Sequence, residues 1–113
     1  MTTTKPFKLK ADQIVKLIPS IGFCYATDKI TVEGEPVNYF YREEPDVESD
    51  SGRRFFSGTE TQEYADDPTN TAIYEVNTVV NYDKTIIPYL DLPFGTELER
   101  VYGTYNFRII KQD

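Results

Sequence analysis

The densest run of chemically able side chains lies at residues 43–50, where Glu43, Glu44, Asp46, Glu48 and Asp50 crowd together and Pro45 and Gly52 act as punctuation. Carboxylates at this density suggest metal ligation, acid–base catalysis or attraction of a cationic partner. Asp46, Glu48 and Asp50 have the spacing of the first three ligands of an EF-hand loop, but that loop needs Gly at its sixth position and a bidentate Glu at its twelfth. Those positions are Ser51 and Ser57, with Gly52 one residue late. Paired carboxylates hydrolyse glycosides, yet among so many acids some pair always looks suitable, and no Trp offers a sugar platform. Cys24 is the only cysteine, the chain has no histidine to activate it, and its neighbours Phe23 and Tyr25 argue for an inert buried thiol. Gly34, Gly52 and Gly58 stand apart and form no phosphate-cradling loop. No catalytic residue, cofactor or metal is expected.

Two apolar-aromatic runs must hold this acidic loop up, because unpaired carboxylates are too costly to bury. Residues 37–41 alternate and predict a strand; 53–57 predict a second. Upstream, residues 1–6 read as a loose tail and 7–9 as a short strand. Asp12 is placed to cap a helix with the stripe Ile14, Val15, Leu17 and Ile18, stopped by Pro19. Residues 21–26 predict a buried strand, and 29–32 another, joined to 37–41 as a hairpin through the turn cluster at 33–36. Thr59 and Gln62 fit a capping box for a short helix through Tyr64, ended by Asp66-Asp67-Pro68. Then come a short strand at 72–75, a helical or irregular stretch at 76–82, a turn capped by Asp83, and a loop at 91–95. Residues 98–102 and 105–110 read as a terminal hairpin on the two-residue turn Gly103-Thr104. The sum is one α+β domain spanning 1–113, with a mostly antiparallel sheet and two or three short helices.

The chain has 113 residues, 39% hydrophobic and 14% aromatic, enough for one core built on Tyr, Phe and β-branched residues. Its formal net charge is -7. Such a surface repels nucleic-acid phosphate and anionic lipid, so neither nucleic acid nor membrane is an expected partner. The acidity is local: residues 33–83 hold 13 acids and 3 bases. A single cysteine excludes an intrachain disulfide, and the start of the chain has no apolar leader, so a cytoplasmic protein is expected.

An acidic face raises association rate and steers orientation, while affinity needs buried aromatic or arginine anchors. The candidate partner-binding residues are therefore Glu43, Glu44, Asp46, Glu48, Asp50, Asp66 and Asp67, with Arg53, Tyr64 and Phe94 as candidate anchors. Arg53 and Arg54 point to opposite faces of their strand. One is expected to pair with Glu43 or Glu44 and the other to be presented.

The ordered blocks at residues 24–34, 41–46 (Tyr41-Arg42-Glu43-Glu44-Pro45-Asp46) and 50–58 (Asp50-Ser51-Gly52-Arg53-Arg54-Phe55-Phe56-Ser57-Gly58) resemble the immunity-protein-thirty-three-like family. The resemblance continues through Asp67-Pro68-Thr69-Asn70, 73–78, Asn81-Tyr82-Asp83 and 86–90, so that it covers residues 22–100. It implies an immunity protein of a bacterial polymorphic toxin system, one that binds and neutralises a cognate toxin and has no catalytic residues. The family commonly has Trp where this chain has Arg53. If the toxin is a nuclease, its basic surface would accept the acidic loops as a phosphate mimic. The alternative is an acidic binding or scaffold domain, monomeric or paired with its own copy through a sheet edge. An enzyme would instead show carboxylates with shifted pKa values in a deep pocket.

Overall fold

The computed structural model describes residues 5–112. Six strands form one sheet in the order β4-β1-β3-β2-β5-β6. They are β1 (Phe23–Thr27), β2 (Tyr39–Arg42), β3 (Asp50–Phe56), β4 (Thr71–Glu75), β5 (Glu97–Arg100) and β6 (Phe107–Lys111). Among the described residues only β1 with β3 is parallel; the other four pairings are antiparallel. With the short helices α1 (Asp28–Thr31), α2 (Gln62–Asp66) and α3 (Val76–Tyr82), this is the expected α+β architecture.

Strand alternation sorts the side chains onto two faces. On one, Cys24 and Ala26 of β1, Phe55 of β3, Phe40 of β2, Leu98 of β5 and Phe107 of β6 are all buried. The helical layer covers them with Ile30 of α1, with Val76, Val79 and Val80 of α3, and with Ile86 and Leu90 beyond it. Val76, Val79 and Val80 fall at i, i+3 and i+4, so α3 turns one apolar stripe onto the sheet. Cys24 is fully buried at the middle of this layer. Burial, ahead of any charge nearby, pushes its thiol up to about 12, which leaves almost no thiolate at neutral pH. A thiol reagent should therefore fail to label the native protein and should label it only as fast as denaturant opens the core. Rapid labelling without denaturant would contradict this burial.

Several local expectations are corrected. Residues 28–31 are helical, and the hairpin expected between 29–32 and 37–41 does not form. Gly34 ends that helix with φ +77°. Its N–H reaches Ile30 O at 3.1 Å, the bond of an αL cap, the Glu35 N–H reaches Lys29 O at 2.9 Å, and Pro36 follows. Residues 7–9 form no strand, and the helix expected after Asp12 shrinks to one 3-10 turn, Ala11–Gln13. The reason lies in α3. Asn77 Oδ1 accepts from the Leu17 and Ile18 N–H groups at 2.8 and 3.2 Å, and Asn81 Oδ1 from the Val15 N–H at 3.0 Å. Both Asn amides donate back to Val15 O. These bonds replace the helical ladder and hold the segment extended. Of the tail expected at 1–6, residues 1–4 lie outside the described residues, and Lys5 Nζ donates to Asp28 at 2.7 Å. The cap of α2 is Thr61, whose Oγ1 accepts from Tyr64 N at 3.1 Å, two residues later than expected. The terminal hairpin turns through residues 101–106, a longer loop held by Thr104 Oγ1.

Candidate functional site

Among the described residues the second face of the sheet is flanked by α2 and carries no other helix. Cross-strand pairing places Ile73, Tyr25, Arg54, Tyr41 and Glu97 in one line across five strands. A second line joins Phe56, Tyr39, Glu99 and Arg108. Ile73 is 61% exposed. Tyr39, Tyr41 and Phe56 are half-buried. Their rings tile the surface, with Tyr39 5.6 Å from Phe56, Tyr41 5.9 Å from Phe56, and Tyr39 6.0 Å from Tyr41. With Gln62 and Ala65 of α2 they line an open groove of about 630 Å³.

Arg54 is the fixed centre of this face. Its Nη1 and Nη2 donate to the two Asp50 oxygens at 2.9 and 2.7 Å, and Nε donates to Glu43 at 2.7 Å. Its guanidinium lies 4.3 Å from the Tyr25 ring centre. Burial opposes the charge, but the Asp50 and Glu43 bonds hold the Arg54 pKa above its ordinary value. The same Arg54 bonds, working against burial, hold the Asp50 carboxyl below the usual range. Burial followed by the Glu97 bond raises the Tyr39 phenol, and burial followed by Glu43 raises Tyr41. Both rings are neutral at physiological pH.

The acidic run separates into two kinds of residue. Glu44, Asp46 and Glu48 are exposed in the loop beyond β2 and β3. Glu43 and Asp50 are structural, because both clasp Arg54. No group of three His, Cys, Asp or Glu residues among the described residues is placed to hold a metal ion. Asp67 caps the 3-10 turn Pro68–Asn70, accepting from Thr69 N at 3.0 Å, and hydrogen bonds from Thr69 hold its carboxyl below the usual range. Asp66 is exposed and accepts from Gln62 at 2.8 Å. Glu43 and Ala65 line one groove, so the acidic loop and α2 flank the same face.

The expected anchors are placed differently. Arg53 is 4% exposed and faces the core. It donates from Nε and Nη2 to Leu90 O. Across the strand pair, Arg42 donates to Leu92 O at 3.0 Å and lies 4.4 Å from the Phe94 ring centre. The two arginines hold carbonyls of the 90–92 turn beneath the sheet, so the expectation that Arg53 is presented to a partner is corrected. Tyr64 is half-buried under Lys29 Nζ, 5.1 Å from its ring centre. The aromatic tiling was missed at the level of sequence. Its signal was Tyr39-Phe40-Tyr41 set against Phe55-Phe56, which sends one set of rings to each face.

No helix among the described residues is long and apolar enough to cross a membrane. No curated protein and no solved structure matches the chain. The profile of the Immunity protein Imm33 domain does match, over residues 24–110. That span runs from the second residue of β1 to the last but one of β6 and takes in everything between, so the chain belongs to the Imm33 immunity-protein domain family.

Proposed function

We propose that this protein neutralises a cognate bacterial toxin in the cytoplasm by binding it, with no bond made or broken. Membership of an immunity-domain family carries the reading. The arrangement of charge supports it. Glu44, Asp46 and Glu48 stand exposed at one end of an uncovered sheet face, and Asp66 and Asp67 stand exposed beside α2. Such a surface draws in a basic partner and orients it before close contact forms. An acidic scaffold paired with its own copy is favoured by one observation, the edge strand β6, where Ile109 and Ile110 are 48% and 46% exposed. Sedimentation of the free protein as a monomer would remove that reading.

The test is co-expression with a candidate toxin, sought first among the proteins encoded next to this gene, scored by survival of the host. Reversal of Glu44, Asp46 and Glu48 to Lys should slow association with the toxin by roughly 10- to 100-fold at low salt, and the effect should shrink as salt is added. Glu43 is left intact, since its loss would disturb Arg54 and confuse steering with folding. An association rate unchanged by the triple reversal would exclude the acidic loop from docking.

A further inference from the structure

The geometry points to the tip of the terminal hairpin, residues 101–106, as the anchor that enters a cleft of the toxin, a step that rests on the immunity reading above. The anchors expected from the sequence are engaged within the chain: Arg53 is buried, and Tyr64 and Phe94 each lie beside one of its own cations. The tip carries rings that the fold leaves bare. Tyr102 is fully exposed and Tyr105 is 79% exposed. Among the described residues neither hydroxyl has a hydrogen-bond partner. The loop that displays them is nonetheless fixed. Thr104 N and Oγ1 donate to Val101 O at 3.0 and 2.8 Å, Asn106 N donates to Thr104 Oγ1 at 3.1 Å, and Val101 N donates to Asn106 O at 2.8 Å. Arg100 Nη1 donates to Thr104 O at 3.2 Å from below. Binding therefore has little backbone left to order, and each tyrosine has only two side-chain torsions to lose.

Composition and shape specify the partner. No residue from Val101 to Asn106 is charged, while Glu99, Arg100 and Arg108 stand at the base. An uncharged aromatic centre inside a charged rim is the anatomy of a protein–protein contact, and Tyr is among the residues that carry its affinity. A Cβ added at Gly103 would meet nothing within 4 Å, so the tip stands clear of the rest of the chain. Open grooves of about 370 and 360 Å³ flank it, with Tyr102 on one and Tyr105 on the other. The Tyr102 groove continues to Gly58 and Thr59, which lead into α2, so the tip and the exposed Asp66 and Asp67 belong to one end of the sheet. A projection of this form buries little against a flat surface or against a second copy of itself. It suits a concave site with apolar walls for the rings and polar groups for the two hydroxyls, which need partners once water is excluded.

The experiment takes the toxin against which the wild-type chain protects and measures its binding to Tyr102→Ala, Tyr105→Ala and the double variant. Both side chains are exposed, so the urea midpoints should stay at the wild-type value, which also checks that the variants fold. Each single variant should speed dissociation by roughly 10-fold and the double variant by more than about 100-fold, with association nearly unchanged. A second measurement needs no variant. Tetranitromethane should nitrate Tyr102 and Tyr105 in the free protein and spare both in the complex, read by mass spectrometry. If the double variant binds as tightly as a protecting wild-type chain, or both tyrosines stay open to nitration in the complex, the tip is not the anchor and immunity stands. A wild-type chain that neither binds nor protects against any candidate toxin sinks the immunity reading and the anchor with it. A free wild-type dimer that the double variant abolishes would assign the tip to a second copy and overturn the proposal.

Discussion

Asp83→Ala should destabilise the protein by about 3–5 kcal/mol, the usual result of stranding one member of a buried ion pair. Asp83 and Arg100 meet at 2.6 Å with side chains only 8% and 11% exposed. The carboxylate also closes three other contacts. Its Oδ2 accepts from Val37 N at 2.9 Å, and its Oδ1 accepts from Thr85 N at 3.0 Å and from the Thr85 hydroxyl. It thus ties the entry to β2, the start of the 3-10 helix Lys84–Tyr89 and the end of β5 at one point. Removing it leaves the Arg100 guanidinium bonded only to neutral acceptors, among them Val37 O at 2.7 Å and Asn38 Oδ1 at 2.9 Å. Urea denaturation should show a lower midpoint with an unchanged slope, and the melting temperature should fall by more than about 10 °C. If the stranded charge is the main cost, Arg100→Met in the Asp83→Ala background should recover part of the loss. A single-variant loss below about 1 kcal/mol would show that Arg100 finds water or another partner cheaply.

Gly52→Ala has a comparable expected cost for a different reason. Gly52 adopts φ +83°, and a Cβ built there would land on the Glu43 carbonyl, 3.1 Å from its carbon and closer still to its oxygen. Neither group is a flexible side-chain end that could swing away, because the Glu43 N–H is bonded to Gly52 O at 2.9 Å. The left-handed backbone alone costs an L-residue about 1–2 kcal/mol. The collision with main chain should take the total above about 3 kcal/mol, so the variant should unfold at much lower urea or accumulate poorly. Gly103→Ala separates the two contributions: its φ is +77° but nothing lies within 4 Å of the added carbon. If both alanines cost the same, the space beside Glu43 is not limiting. The position matters beyond stability. Pairing of β1 with β3 shifts register here, from Phe23 opposite Asp50 to Cys24 opposite Arg53. Asp50 Oδ1 accepts from Gly52 N at 2.9 Å across this bulge while also holding Arg54. Displacing Gly52 should therefore loosen the Arg54 clasp and the centre of the open face with it.

The sheet was legible where strands alternate strongly or run continuously apolar. Six of the eight expected strand segments are found, each within a few residues, and those at 7–9 and 29–32 are not. The helix at 28–31 was hidden by Ile30, Thr31 and Val32, β-branched residues that suit a strand in isolation. Burial of Ile30 against the sheet outweighs that preference, and the Gly34–Pro36 stop signal was available to indicate a helix end. The 14–18 stripe misled in the opposite direction. Its period suits a helix, but Asn77 and Asn81, about 60 residues away, supply the backbone partners. No local pattern announces such side-chain capture. At the candidate surface, the sign and exposure of the 44–48 loop could be read directly. The pairing of one arginine with Glu43 could be read too, and Arg54 makes it; the part of Asp50 in the same clasp could not, because it depends on the bulge at Gly52.

The parallel pairing of β1 with β3 has a consequence for the newborn chain. Cys24 pairs with Arg53 on one side and Tyr74 on the other, so β1 leaves the ribosome with both of its hydrogen-bonding edges vacant. Its second neighbour is synthesised some 50 residues later, roughly 3–10 s at ordinary translation speed. Contacts this distant in sequence must overcome loop closure before they give anything back. The polypeptide therefore cannot complete the pairing of β1 until residue 75 has been made, and both edges of that strand stay open to other chains during the wait.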